Sequence, residues 1–144
     1  MDLELKGKTV FITGSTAGIG FATAKALLSE GASVILNGRT SASVDVAIKR
    51  LEQAFPDEII SGIAANFSLQ NEVNSLLENL PKIDVLINNV GVYSSGSFFE
   101  TDDAEWYRQF EVNVMSGVRL SKSILPRMLA NNWGRILFIS SECA

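Results

Sequence analysis

The sequence contains no histidine, and its one cysteine is Cys143. These absences exclude a histidine base, a Cys/His zinc site and a disulfide within the chain. Any chemistry must therefore use Ser, Tyr, Lys, carboxylates or a bound cofactor, and we expect no metal site.

Long apolar runs and a basic surface are also missing. No apolar segment approaches the roughly 18 residues that a membrane span needs. Asp2 and Glu4 precede any apolar run, which argues against a signal or transit peptide. The formal net charge is −4 and Lys and Arg are scattered singly, which argues against a surface that neutralises nucleic-acid phosphates. We expect a cytoplasmic protein that binds neither membranes nor nucleic acid.

Apolar, β-branched segments alternate with segments of helical periodicity along the chain. The pattern predicts strands over residues 9–13, 32–36, 59–64, 84–88 and 135–140. It predicts helices over residues 19–29, 41–54 and 70–80, and a long one within 103–130. Ser41 is the expected N-cap of the second helix, and Pro126 is expected to kink or end the fourth.

Five apolar strands alternating with helices indicate right-handed crossovers and a parallel sheet covered on both faces. The predicted fold class is therefore α/β, a doubly wound parallel sheet of the Rossmann type. The 144 residues suffice for one dinucleotide-binding domain. Because the sequence stops soon after the fifth predicted strand, we expect a domain that is C-terminally incomplete, truncated there, with an apolar edge prone to pair with another chain.

A glycine-rich turn joins the first predicted strand to the first helix. Gly14, Gly18 and Gly20 permit positive φ, close approach to a pyrophosphate, and tight packing of the helix on the strand. The N-terminus of the following helix offers unpaired N–H groups to phosphates. A tight turn without a ligand is the alternative. The residues expected to contact a dinucleotide here are Gly14, Ser15, Thr16, Gly18, Ile19 and Gly20.

The glycine spacing, Gly-x3-Gly-x-Gly, resembles that of the short-chain dehydrogenase/reductase family. Three further landmarks of that family follow in the same order. Residues 88–91, Asn-Asn-Val-Gly, look like its Asn-Asn-Ala-Gly, Asn113 looks like its helical Asn, and residues 139–141 look like the end of its fifth strand. The resemblance covers the whole chain and implies an NAD(P)-dependent oxidoreductase that acts on a carbonyl or alcohol.

The end of the second predicted strand indicates which cofactor is bound. A carboxylate in this place would bind the ribose hydroxyls of NAD and repel a 2′-phosphate. This sequence instead has Arg39, whose guanidinium suits a phosphate, with Asn37 and the backbone of Gly38 close by. The pattern favours NADP over NAD, and a solvated loop arginine is the alternative.

The resemblance implies further contacts to the adenosine half of the cofactor. Asn66, followed by Phe67, stands where the family has an Asp that binds the adenine amino group, and an Asn can accept through its carbonyl. Asn89, Val90 and Gly91 would lie against the adenosine ribose. Another interpretation of the asparagine pair is a turn that satisfies its own backbone.

The resemblance also implies catalytic residues. Ser141 would orient the substrate oxygen, and Asn113 would hold a water that leads toward a catalytic lysine. An ordinary strand-end serine and a buried helix asparagine are the alternatives. The family's acid/base is the Tyr of a Tyr-x-x-x-Lys motif, and neither Tyr93 nor Tyr107 has a lysine four residues later. We therefore expect no measurable carbonyl reduction by this chain alone, since loss of an acid/base group costs about 10²- to 10⁴-fold.

Two other functions compete with the oxidoreductase. A non-catalytic dinucleotide-binding or oligomerisation module would suit the missing Tyr and Lys. A nucleotide-sugar epimerase fits less well, because such proteins usually carry Gly-x-x-Gly-x-x-Gly. The long helix has more apolar residues than one sheet face needs, so we expect a homo-oligomer when the protein is intact. Those apolar residues are Trp106, Phe110, Val114, Met115, Val118, Leu125 and Met128.

Overall fold

A computed structural model describes residues 3–141 of the chain as a parallel sheet with helices on both faces. The strands are β1 (Thr9–Ile12), β2 (Ser33–Gly38), β3 (Ile60–Ala64), β4 (Val85–Asn88) and β5 (Arg135–Phe138). The helices are α1 (Gly18–Ser29), α2 (Ser41–Glu52), α3 (Gln70–Asn79), α4 (Asp103–Phe110) and α5 (Ser116–Ala130). The predicted α/β fold is confirmed, since each predicted strand is present to within two residues at either end.

The strand order is β3-β2-β1-β4-β5, and every neighbouring pair is parallel. The chain builds outward from β1 to β3, then returns to the other side of β1 to form β4. Ile12 at the end of β1 is in register with Ile87 in β4. The turns that follow β1 and β4 therefore emerge side by side, at the switch point where doubly wound sheets bind ligands.

The core consists of two layers because successive strand residues point to opposite faces of the sheet. Val10 and Ile12 belong to the cluster that packs under α1 and α2. Phe11, between them, belongs to the cluster that packs under α3 and α5. Burial on both faces explains why the central strands are continuously apolar rather than alternating.

The start of α2 corrects one expectation. The N-cap is Thr40, not Ser41, because the Thr40 backbone is extended and its Oγ1 accepts a hydrogen bond from the Ser43 N–H at 3.2 Å. Thr and Ser both cap well, and neighbouring candidates differ only in which one reaches the third N–H of the helix.

The long helix region also departs from expectation. Pro126 does not end the helix, since α5 continues to Ala130. Proline has no N–H, so the backbone carbonyl of Lys122, four residues earlier, lacks its usual helical donor. Pro126 and Lys122 both lie on the exposed side of the helix, where water can donate to that carbonyl. A π-helical turn over Glu111–Met115 separates α4 from α5 within the predicted long helix, and a kink at Pro126 stays a prediction.

Apolar side chains remain open to solvent along these helices and at β5. Phe138 is 59% exposed and Leu137 46%. β5 is an edge strand of the sheet described here, so the predicted apolar edge is present, while its pairing with another chain stays a prediction. Of the apolar residues expected to exceed the needs of one sheet face, Met128 is buried and Met115 half-buried, whereas those exposed by more than two fifths are Trp106, Phe110, Val114, Val118 and Leu125.

Candidate functional site

A cavity of about 410 Å³ opens at the carboxyl ends of the strands. Its walls come from the segments that follow β1, β2, β3 and β4, together with one side of α4 and the π-helical turn. The lining residues are Gly14, Thr16, Ala17, Asn37, Gly38, Arg39, Ala65, Asn66, Phe67, Ser68, Asn89, Val90, Gly91, Val92, Arg108 and Val112.

The glycines of the first turn serve different purposes. Gly14 has φ +59°, and a Cβ there would lie 3.1 Å from the Val90 Cα. Gly20 lacks a positive φ, but a Cβ there would lie 2.6 Å from both the Asn89 Nδ2 and the Gly14 carbonyl oxygen. Gly18 has φ +56° and would place its Cβ in open space. Gly18 is thus needed for conformation and Gly20 for close packing.

The first turn of α1 is open toward an outside acceptor. Ala17 is the N-cap, its backbone is extended, and it provides no side-chain hydrogen bond to the helix. The first N–H groups of a helix have no partner within the helix, and they carry its positive dipole end. A turn without bulky side chains in front of these groups fits a phosphate or diphosphate group.

Thr13 joins the turn after β1 to the segment after β4. Its side chain is buried, and its Oγ1 accepts hydrogen bonds from the N–H groups of Asn89 and Val90, both at 2.9 Å. In return the Asn89 Nδ2 donates to the carbonyl oxygens of Thr13 at 3.0 Å and Gly14 at 2.9 Å. Sequence reasoning did not select Thr13, although a hydroxyl between an apolar strand and a glycine turn is a usable signal.

Thr13→Val tests this connection. The substitution keeps the side-chain shape and removes the hydroxyl, so the Asn89 and Val90 N–H groups lose their shared acceptor. We expect the free energy of unfolding, measured in urea, to fall by about 2 kcal/mol. Thr13→Ser keeps the hydroxyl and should lose only about 1 kcal/mol, for the missing methyl group. Equal stability of the Val variant and the native protein would show that the hydroxyl is dispensable.

Asn37 is fully engaged within the protein. It is 1% exposed, its Oδ1 accepts from the Gly14 N–H at 3.1 Å, and its Nδ2 donates to the Ile63 carbonyl oxygen at 3.1 Å and to that of Ala65 at 3.4 Å. The side chain therefore ties the ends of β1, β2 and β3 together. Its contribution to the cavity is to hold the walls in place.

Ser15 is likewise internal. It is completely buried, its Oγ donates to the Ile12 carbonyl oxygen at 2.7 Å, and it accepts from the Asn37 N–H at 2.9 Å. The glycine-turn pattern predicts that Ser15 contacts the cofactor, but Ser15 does not line the cavity. Its hydroxyl connects β1 to β2.

Ten of the residues expected to bind a cofactor come together around the cavity. They are Gly14, Thr16, Asn37, Gly38, Arg39, Asn66, Phe67, Asn89, Val90 and Gly91. Other site candidates lie off its lining, namely Ser15, Gly18, Ile19, Gly20, Asn113 and Ser141. The cavity also includes residues that sequence reasoning missed, which are Ala17, Ala65, Ser68, Val92, Arg108 and Val112.

The charge on the cavity lining is positive, in contrast to the net charge of −4 for the whole chain. Arg39 and Arg108 are the charged residues of the lining, and no lining residue is acidic. Arg39 is exposed and has no ion-pair partner among residues 3–141. Because Glu105 balances the charge of Arg108, the uncompensated charge of the lining is that of Arg39, and it favours an anionic ligand at that side of the cavity.

The two predicted catalytic residues are separate from this lining. Asn113 lies in the π-helical turn, its Oδ1 accepts from the Val92 N–H at 2.7 Å, and its Nδ2 donates to the Val92 carbonyl oxygen at 2.9 Å. Asn113 therefore anchors the chain just beyond Gly91. Ser141 is exposed and follows the end of β5. The catalytic roles of both residues stay predictions.

Arg108, which lines the cavity, belongs to a group of polar side chains on α4 and the loop before it. Glu105 accepts hydrogen bonds from the Arg108 Nε and Nη2, each at 2.7 Å, and also from Ser94 and Gln109. The hydrogen bond from Arg108, followed by that from Ser94, lowers the pKa of Glu105 to about 2. The same partnership raises the pKa of Arg108. Both groups are therefore ionised at neutral pH.

Within residues 3–141, no group of three or more His, Cys, Asp or Glu side chains is placed to hold a metal ion. In the same part of the chain, no helix combines the length and the apolar character required to cross a bilayer.

The parallel sheet, the glycine turn and the cavity at the switch point define an α/β protein of Rossmann-like fold. A model of the short chain dehydrogenase family matches residues 8–144. The chain belongs to the short-chain dehydrogenase family, which confirms the resemblance inferred from its motifs.

Curated relatives and solved structures match almost the whole chain. It is 42% identical over 144 residues to the uncharacterized oxidoreductase YvaG, and 48% identical over 145 residues to the uncharacterized oxidoreductase YvrD, both of Bacillus subtilis (strain 168). These matches cover 100% and 99% of this chain, respectively, and 54% of each relative. The chain thus spans about half the length of these relatives.

Among solved structures, L-sorbose reductase from Gluconobacter frateurii, complexed with NADPH and L-sorbose, superposes with a TM-score of 0.91 at 31% identity. That match covers 99% of this chain and 56% of the reductase. A short-chain dehydrogenase from Sphingobium yanoikuyae in complex with NADPH superposes with a TM-score of 0.86 at 26% identity, over 94% of this chain and 54% of the other.

Proposed function

We propose that this chain is the NADP(H)-binding part of an oxidoreductase that acts on a carbonyl or alcohol substrate. The observation that carries the proposal is the cavity at the switch point, whose lining combines a glycine turn and an open helix N-terminus with Arg39, which has no ion-pair partner among residues 3–141. Membership of the short-chain dehydrogenase family and two NADPH-bound structural neighbours support it.

The diphosphate of the cofactor would bind at the turn after β1. The open first turn of α1 supplies N–H donors, and Gly14 and Gly20 keep side chains out of the space between this turn and Asn89. Thr16 and Ala17 line the same wall. When bound, the nicotinamide ring supplies or accepts a hydride. The residues of this chain bind and orient the nucleotide that carries it.

The 2′-phosphate would bind to Arg39 and the backbone of Gly38. The Asn37 side chain cannot turn toward the ribose without breaking its hydrogen bonds to the Gly14 N–H and to the carbonyl oxygens of Ile63 and Ala65. Arg39 is therefore the side chain at this strand end that can recognise the adenosine ribose. A planar guanidinium donates well to a phosphate and offers nothing specific to a free 2′-hydroxyl.

Outside the cavity lining, Ser141 would orient the substrate oxygen as charge develops on it. Asn113 would take part in proton transfer through a bound water, in addition to anchoring Val92. The chain has no Tyr-x-x-x-Lys, so catalysis by these residues alone is not proposed.

Arg39→Ala tests the cofactor assignment. Because a charge-assisted contact to phosphate is removed, we expect NADPH affinity to fall about 10- to 100-fold, while NADH affinity changes less than about twofold. Fluorescence titration of each reduced cofactor measures both constants. Lys49→Ala removes the same charge from an exposed position on α2, away from the cavity, and should change neither. An NADPH preference that survives Arg39→Ala would contradict the assignment.

A further inference from the structure

Arg108 and Arg39 stand on different walls of the cavity. Arg39 lies two residues before the start of α2, which packs on the sheet face that carries Val10 and Ile12. Arg108 is one helical turn before Val112, which packs with Phe11 on the opposite face. Both arginines line the cavity. A ligand that fills it must therefore lie between them.

The wall that holds Arg108 suits a flat apolar ring. Val112 and Phe67 line it and belong to the same buried cluster. Asn66 contributes the polar edge, and its Oδ1 accepts a hydrogen bond from the Ser68 N–H at 3.0 Å. A carbonyl oxygen has two lone pairs, so this oxygen can accept from one further donor.

The Arg108 guanidinium is held in one orientation. Its Nε and Nη2 donate to the two carboxylate oxygens of Glu105 in a parallel fork. Ser94 and Gln109 donate to the same carboxylate and restrain it in turn. Among the described residues nothing accepts from the Arg108 Nη1. A half-buried ion pair near the surface contributes little to stability, whereas a side chain restrained at a cavity wall loses little entropy when a ligand binds.

From this arrangement we infer that Arg108 binds the adenine ring of the cofactor, and that Glu105 is the positioning residue that sets the plane of the guanidinium. The inference rests on the proposed function. Guanidinium groups stack on aromatic rings and add a cation–π attraction, which a purely apolar wall cannot supply. Arg39 would then recognise the 2′-phosphate and Arg108 the base.

The test is calorimetric titration of the full chain with four ligands. They are NADPH, NADH, adenosine 2′,5′-bisphosphate, and reduced nicotinamide mononucleotide, which has no adenosine. For Arg108→Gln we expect the affinities for the first three ligands to fall by one common factor of about 5- to 20-fold, and the affinity for the mononucleotide to stay unchanged. Glu105→Gln should give a smaller loss with the same ligand pattern.

Arg119→Gln is the matched control. Arg119 pairs with Glu111 in the same helical region, and it does not line the cavity. We expect it to leave all four affinities unchanged, even if it lowers the melting temperature.

Other outcomes would overturn the adenine assignment. A loss confined to NADPH and the bisphosphate would mean that Arg108 contacts the 2′-phosphate. An equal loss for all four ligands, with a lower melting temperature, would mean a structural role, and unchanged affinities would mean no role. If the native chain binds none of the ligands, the proposed function fails together with the inference. If the native chain prefers NADPH and Arg108→Gln changes none of the affinities, the adenine assignment fails and the proposed function stands.

Discussion

Gly20→Ala is expected to lower the free energy of unfolding by about 3 kcal/mol and to abolish tight binding of NADPH. The added Cβ would lie 2.6 Å from the Asn89 Nδ2 and from the Gly14 carbonyl oxygen, and 2.8 Å from the Ser15 Cα. Two of these three atoms are backbone, so a side-chain rotation cannot relieve the contact. Helix α1 must move away from the turn that would hold the diphosphate.

Gly18→Ala is the matched control for this prediction. It adds the same methyl group two residues earlier, where a Cβ meets no atom within 4 Å. Its cost comes from the positive φ of +56°, which we expect to be worth about 1 kcal/mol. Urea unfolding followed by tryptophan fluorescence gives both values. If Gly18→Ala proved the more damaging variant, close packing of α1 against the β1 turn would not be the reason for Gly20.

Asn37→Asp is expected to lower the free energy of unfolding by about 4 kcal/mol at pH 7, a larger loss than that expected for Thr13→Val. The substitution preserves an acceptor for the Gly14 N–H. It also replaces the amide that donates to the carbonyl oxygens of Ile63 and Ala65 with a carboxylate oxygen that can only repel them. The charge would be buried, since Asn37 is 1% exposed.

The loss should depend on pH, with a definite sign. Burial and the two carbonyl oxygens disfavour the ionised form, so the pKa of the introduced carboxyl rises above its unfolded value of about 3.9. Below that value both states are protonated, and the deficit relative to the native protein is smallest. As the pH rises through the unfolded and then the folded pKa, the unfolded state ionises first and the deficit grows.

Asn66→Asp provides the control for this pH dependence. Asn66 is half-buried, and its Oδ1 accepts from the Ser68 N–H, which a carboxylate can also do. We expect Asn66→Asp to change the free energy of unfolding by no more than about 0.5 kcal/mol across the same pH range. Unfolding curves recorded in urea at several pH values distinguish the two variants. A deficit for Asn37→Asp that does not grow with pH would show that the introduced carboxyl is not buried as a charge.

The sequence by itself determined the order and type of the elements. Short β-branched runs and helical periodicity are local properties, so they predicted all five strands and the α/β class. The glycine turn and the arginine after β2 were also recognisable, because the conformational freedom of glycine and the charge of arginine belong to the residues themselves. Local patterns were weaker at boundaries, where Thr40 rather than Ser41 caps α2 and a π-helical turn divides the predicted long helix.

Only the tertiary structure decided what each polar side chain contacts. Thr13 accepts from N–H groups 76 and 77 residues away, and Asn37 reaches the carbonyl oxygens of residues 26 and 28 positions later. Arg108 joins the cavity because the fold brings α4 to the same cavity as residues 65–68, which follow β3. Such partners depend on the order in which strands are placed side by side. The residue types along the chain therefore do not specify which distant groups become hydrogen-bond partners.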